Sequence, residues 1–250
     1  LRSTFSRSER DCGCRCSLLD NLFVVDVTTF NQAYLHSCEM MKTRIKCWLA
    51  EMGLYSKLDL IWNLPSVLSW LRKGCGEFAP PPIKQMVIVS YLKRFRIHNF
   101  IETGTYLGDT LAAIASNREI ECLSIELSVE YFEAAKKRFV NYSNVNLIQG
   151  DSSVILPKLI KNVNSPTLFW LDGHYSGGDT ARGYLHTPIK KELEAIFEST
   201  VKTHVILIDD ARYFNGTNDY PNIDEILNFI KRCGNHNVEV STDIIRLTPK

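Results

Sequence analysis

The stretch Phe100-Ile101-Glu102-Thr103-Gly104-Thr105-Tyr106-Leu107-Gly108 decides the fold. An apolar run enters Glu102, a turn built on Gly104 and Gly108 follows, and a helix is expected from about Asp109. Glycine has no side chain to block a ligand, so such a turn lets the backbone approach one closely. The start of the helix aims free N–H groups at the same place. The spacing is Glu-x-Gly-x-x-x-Gly, not the Gly-x-Gly-x-x-Gly of a dinucleotide site. An acid at the strand end repels a pyrophosphate and welcomes a cation such as an amino group or a sulfonium.

Outward from this turn, apolar strands and helical stretches alternate. Strands are expected at residues 99–103, 122–126, 145–149, 167–172 and 204–209, and helices at 110–116, 129–142, 153–161 and 188–198. This alternation predicts an α/β fold, a mostly parallel sheet with helices on both faces. Ligands then bind off the carboxyl ends of the strands. A helix over about 83–95 precedes the first strand, and another is expected over 221–232, with Pro221 near its start. The runs 238–241 and 244–247, separated by Thr242-Asp243, suit a closing antiparallel hairpin.

Four of the five strands end in an acidic residue or one step before it. The ends read Glu102, Ser124-Ile125-Glu126-Leu127, Gln149-Gly150-Asp151-Ser152, Phe169-Trp170-Leu171-Asp172-Gly173-His174 and Leu207-Ile208-Asp209-Asp210. Glu126 follows the glycine turn by about twenty residues, where a carboxylate can accept both hydroxyls of a ribose. Asp151 and Ser152 suit an adenine amino group, although an Asp-Ser pair can also do no more than cap the next helix. Taken singly each acid has such an ordinary reading; five in order are harder to dismiss.

Residues 83–248 resemble a class I S-adenosylmethionine-dependent methyltransferase, on Glu102, Gly104 and Gly108 for the first motif, Glu126 for the ribose acid and Asp151 for the adenine acid. The segments 101–108, 170–178 and 207–212 resemble a bacterial subgroup without an assigned substrate, related to metal-dependent sugar O-methyltransferases. The resemblance implies a Rossmann-like sheet of seven strands with a C-terminal antiparallel hairpin and an N-terminal helical extension. It implies S-adenosyl-L-methionine as cofactor, contacted by Glu102, Thr103, Gly104, Thr105, Tyr106, Gly108, Glu126, Leu127, Asp151, Ser152 and Asp172. In the sugar enzymes, acids after strands four and five hold a divalent ion beside the acceptor hydroxyl. Asp172, Asp209 and Asp210 match those positions and imply Mg²⁺, whose preference is for oxygen ligands. His174 departs from that pattern, since those enzymes tend to carry another acid there.

The loop 173–187 carries Gly173, Gly177, Gly178 and Gly183 with His174, Tyr175, Asp179, Arg182 and His186. A glycine-rich polar loop over the strand ends suits a lid or an acceptor pocket. His174 is the candidate general base, with Asp172 beside it, because imidazole titrates near working pH; the alternative is a histidine that only hydrogen-bonds the loop. Arg182 and Arg212 suit an anionic acceptor or pairing with nearby acids. His98, His204 and His236 read as structural. The activity implied is O-methylation of a sugar, glycan or small-molecule hydroxyl. Three rivals are a non-catalytic S-adenosylmethionine binder, against the glycine spacing a nicotinamide-dependent oxidoreductase, and a nucleic-acid or protein methyltransferase, against which stands the lack of an Asn-Pro-Pro-Tyr-type motif and of a basic groove signal.

With 250 residues, 45% apolar, the chain has material for one α/β domain plus an extension. Its formal charge of +1 and scattered basic residues argue against nucleic acid as a partner. No apolar run reaches the length of a membrane span. Eight cysteines without a second ligand cluster beside Cys12, Cys14 and Cys16 read as a reduced, cytoplasmic protein. Residue 1 is Leu, and Met40 and Met41 stand ahead of a helical pattern over 42–73. Residues 1–40 are therefore expected to be a non-native or disordered extension, 41–82 a helical cap and linker, and 83–250 the catalytic domain. The 42–73 helices read as a cap or a homodimer contact, with weak membrane contact as the alternative. Pro65 is expected to break or kink them.

Overall fold

In a computed structural model, the described residues are 55–75, 78–173, 187–217, 220–233 and 236–250, with side chains from residue 63 onward. The elements are α1 (Tyr55–Arg72), α2 (Pro81–Phe95), β1 (Asn99–Thr103), α3 (Asp109–Ala115), β2 (Glu121–Glu126), α4 (Val129–Arg138), β3 (Val145–Gln149), α5 (Ser152–Leu159), β4 (Thr167–Leu171), α6 (Ile189–Glu198), β5 (Val205–Ile208), α7 (Ile223–Cys233), β6 (His236–Ser241) and β7 (Ile244–Pro249). Short 3₁₀ turns cover Ile160–Asn162 and Ala211–Tyr213.

One seven-stranded sheet runs in the order β3-β2-β1-β4-β5-β7-β6. β1 to β5 are parallel, and β7 pairs antiparallel with both β5 and β6. This is the expected sheet with its closing hairpin. Chain order reverses between β1 and β4, so the crevice for a ligand lies off the carboxyl ends of those two strands. The register places Glu102 beside Ser124 of β2 and Trp170 of β4.

β1 is buried from Phe100 to Thr103, as a strand covered on both faces must be. Successive side chains serve opposite faces. Phe100 joins Ile88, Leu111, Phe139 and Trp170 in one core; Ile101 joins Ile125, Phe169, Leu193 and Ile226 in the other. α2 begins with Pro81 and Pro82 in its first turn, where proline's missing N–H costs no intrahelical bond.

Several boundaries differ from expectation. The helix expected over 129–142 ends at Arg138, because Phe139 leaves helical geometry and folds its ring against Tyr142, with centroids 5.3 Å apart. The strands expected to reach Asp172 and Asp209 stop one residue earlier, at Leu171 and Ile208, leaving both acids in the loops that follow. Pro65 lies inside α1 without ending it. Leu64, Leu68 and Leu71 of α1 are 45%, 42% and 50% exposed, so this stripe is not spent as core. The expectations for residues 1–40, and for 42–54 within the helical extension, lie outside the described residues. Among the described residues, no helix is long and apolar enough to cross a membrane.

Candidate functional site

The glycine turn is held against the end of β4. Gly104 has φ +83°, and a β-carbon there would stand 2.5 Å from the carbonyl oxygen of Asp172. Its N–H donates to the carbonyl of Ile125 at 2.9 Å, which ties the turn to β2 as well. Tyr106 also takes a left-handed conformation, φ 48°, and its N–H donates to Glu126 Oε2 at 2.7 Å. Ser128 N–H donates to Glu126 Oε1 at 2.8 Å. Both oxygens of Glu126 are thus oriented by backbone amides, and each keeps a second lone pair for a ligand hydroxyl. α3 has only seven residues and starts at Asp109, whose carboxylate pairs at 2.8 Å with the buried Arg138.

Glu102 is placed deeper than a rim residue. It is 1% exposed and accepts a 2.7 Å hydrogen bond from Ser124, whose hydroxyl in turn meets Thr105 Oγ1 at 2.6 Å. Burial pushes its carboxyl up to about 8, against the Ser124 bond that favours the charged form. It underlies the turn, with its charge and Glu126 close enough to repel. Asp151 performs the ordinary reading allowed for it: Oδ1 accepts from Ser153 N–H at 2.8 Å and caps α5. Ser152 reaches the crevice, because a β-carbon on Gly173 would stand 3.0 Å from Thr103 Oγ1 and 3.3 Å from Ser152 Oγ. Thr103, Gly104, Ser152, Asp172 and Gly173 are therefore brought together, with Thr105, Tyr106, Gly108 and Glu126 on the adjoining turn and Leu127, partly buried, following Glu126. His174, Tyr175, Asp179, Arg182 and His186 lie outside the described residues.

The rim of β5 is built on a cation that the sequence did not reveal. Lys84, in the first turn of α2, places Nζ 2.6 Å from Asp209 Oδ1 and 3.0 Å from Asp210 Oδ1. Asp210 stands in left-handed backbone, φ 54°, and donates its N–H to Asp209 Oδ1 at 2.7 Å. Arg212 pairs with Asp210 at 2.6 Å and also with Asp243 of the hairpin turn. Burial raises Asp209, as does the neighbouring charge of Asp210; burial and then Asp209 and Asp210 raise Asp172 well above the usual carboxylate range. Burial pulls Lys84 down, but the two aspartates hold it above its ordinary value.

The expectation of a metal at Asp172, Asp209 and Asp210 meets this arrangement. An ammonium occupies the position between Asp209 and Asp210 that a divalent ion needs, and a guanidinium takes a further share of Asp210. Among the described residues, no group of three or more His, Cys, Asp or Glu side chains is placed to hold a metal ion. The donor set does not fit Mg²⁺, which requires several oxygen ligands free of competing cations.

Sequence reading also missed Glu192. It is 1% exposed, on the face of α6 that carries Ile189, Leu193 and Ile196. Burial pushes it up to about 7, opposed by the neighbouring Ser152 and Thr103 hydroxyls, while Glu192 Oε1 and Thr103 Oγ1 are buried without a hydrogen-bond partner among the described residues. It lines a cavity of about 10 Å³ with Gly173, Thr187, Asp209 and Tyr220, room for about one water. An acid within an apolar stripe at helical spacing is the signal that finds it. The expected structural histidines divide. Thr167 N–H donates to His204 Nδ1 at 3.2 Å, so the proton is on Nε2, 3.0 Å from Ser199 Oγ. His236 packs on Phe197, and His98 is exposed.

No protein-family model matches the sequence, and no curated protein matches it. Solved structures do. An O-methyltransferase from Streptomyces achromogenes, TomG, involved in tomaymycin synthesis and solved in complex with SAM, is 13% identical with a TM-score of 0.51, over 74% of this chain and 88% of that one. An O-methyltransferase from Bacillus cereus, in complex with SAH, is 15% identical with a TM-score of 0.51, over 74% of this chain and 90% of that one. The chain has the Rossmann-like fold of class I S-adenosylmethionine-dependent methyltransferases.

Proposed function

We propose that the chain is an S-adenosylmethionine-dependent O-methyltransferase acting on a hydroxyl of a sugar, glycan or other small molecule. The observation that carries this reading is the convergence of the Gly104 turn, Glu126 and the end of β4 on the sheet's switch point. The structural neighbours with bound SAM and SAH support the same cofactor.

Bound S-adenosylmethionine supplies an electrophilic methyl group whose transfer to oxygen releases S-adenosylhomocysteine. In this assignment the Gly104 turn receives the amino-acid part, and Glu126 accepts from the ribose hydroxyls with its two remaining lone pairs. Ser152 and the loop after β3 receive the adenine, with Asp151 fixing that loop through its cap. Asp172 borders the methyl-transfer position beside the turn. His174, two residues on in sequence, takes the acceptor's proton as general base. In-line displacement asks chiefly for alignment of donor and acceptor, which a crevice between fixed strand ends provides.

The test is methyl transfer from S-adenosylmethionine to a panel of sugars and phenols. Transfer to at least one hydroxyl, lost in His174→Ala with S-adenosylhomocysteine binding retained, is the expected result. Binding of S-adenosylhomocysteine with transfer to none of them assigns the protein as a binder and not an enzyme.

A further inference from the structure

Lys84 is far in the chain from its partners: it reaches Asp210 across 126 positions. A cation in the first turn of a helix opposes the macrodipole, so its local setting does not favour it. Its partners do. Nζ is within 3.0 Å of both aspartates after β5, and its side chain is only 16% exposed. Asp210 holds a left-handed backbone conformation, uncommon outside glycine, to present its carboxylate to Lys84 and Arg212. Asp209 is fixed from the other side by Asp210 N–H and by its own N–H donating to Leu171 at 3.0 Å.

We propose that Lys84 is the resident cation of the β5 rim, a positioning residue that holds Asp209 and Asp210 by charge where the related sugar enzymes hold theirs by a divalent ion. The ammonium neutralises one carboxylate and orients both, and it does so from within the chain. The rim is then preformed without recruiting a metal from solution. A strongly hydrated divalent ion would have to displace an ammonium already desolvated against two acids. This rests on reading the rim as the acceptor side of a methyltransferase.

Mn²⁺ reports on the proposal, because its free and bound forms differ in electron paramagnetic resonance. The full-length protein is expected to leave millimolar Mn²⁺ free. Lys84→Met, which keeps the bulk and removes the charge, is expected to bind Mn²⁺ at least about tenfold more tightly, a difference of about 1.4 kcal/mol, since the neighbouring cation that opposes the ion is gone. Asp209→Asn added to Lys84→Met should abolish that binding. Lys84→Arg keeps the charge and should stay silent. Stoichiometric Mn²⁺ binding by the wild-type protein that Asp209→Asn removes overturns the proposal, as does a folded Lys84→Met that binds no Mn²⁺. The wild-type titration decides even where a variant fails to fold. Failure of the methyltransferase reading shows separately, as absent S-adenosylhomocysteine binding by the wild-type protein.

Discussion

The carbonyl oxygen of Asp172 lies 2.5 Å from the point where Gly104 would carry a β-carbon. The turn after β1 and the loop after β4 are therefore in backbone contact, with glycine as the only residue that permits it. Asp172 N–H donating to Thr103 at 3.1 Å closes the same junction. The two strands that flank the switch point are locked together at their carboxyl ends, and this is where the ligand crevice begins.

Gly104→Ala should be among the most damaging single changes. It adds left-handed strain of about 1 kcal/mol to an overlap with backbone, which costs about 1–3 kcal/mol. Thermal unfolding should fall accordingly. S-adenosylhomocysteine binding, measured by calorimetry on whatever remains folded, should be lost.

Glu126→Gln and Glu126→Ala separate binding from support of the turn. The alanine variant leaves Tyr106 N–H and Ser128 N–H without their carboxylate, at about 1–3 kcal/mol of stability, and should also lose the cofactor. Gln keeps one acceptor oxygen and offers an amide where an oxygen stood, so its cofactor loss should be of similar size but its stability loss smaller. A Glu126→Ala protein that binds S-adenosylhomocysteine like wild type contradicts the assignment.

Glu102 makes stability fall with rising pH. Its folded value near 8 exceeds the 4.5 of the unfolded chain, so the native state binds the extra proton between those values. The penalty begins above pH 4.5 and is complete above 8. Glu102→Gln mimics the neutral acid and should gain on wild type across that window, by on the order of 2–4 kcal/mol at its alkaline end. Urea unfolding at a series of pH values reads the difference; a pH-independent gap between the two proteins contradicts it.

His204 acts in the opposite sense. Burial and the neighbouring His236 lower it to about 4, so it is neutral in the native state while the unfolded residue titrates near 6.5. Its contribution is intact above pH 6.5 and is lost as pH falls toward 4. Replacing it by Gln, which can still accept from Thr167 N–H, should flatten the acid limb of the stability profile by about 1–3 kcal/mol. Nuclear magnetic resonance titration of the imidazole checks the lowered value directly.

What the sequence disclosed is what local pattern encodes. β1 and β3 fall on the expected residues, since each is a short run bounded by the turn signals Gly104 and Gly150-Asp151, and the glycine turn carried its own geometry. The β4 and β5 ends were one residue off: Asp172 and Asp209 still donate their N–H groups to Thr103 and Leu171 of the neighbouring strands, but strand pairing stops at Leu171 and Ile208. Glu102 was read as a rim acid, yet its register opposite Ser124 puts it inside, and register is a property of the paired strands. Lys84 was invisible for the same reason: nothing near it in the chain signals partners on β5. Glu192 was legible in principle, as an acid on the apolar face of α6, and was passed over because charged helix residues usually face water.

The account turns on whether the crevice at the ends of β1, β2 and β4 is a cofactor site, and calorimetry with S-adenosylhomocysteine tests that most directly. One molecule is expected to bind per chain, in competition with S-adenosylmethionine, and Glu126→Ala is expected to weaken it by at least about tenfold, as loss of a charged hydrogen-bond acceptor implies. No heat of binding from a folded wild-type protein, or binding that Glu126→Ala leaves untouched, contradicts it.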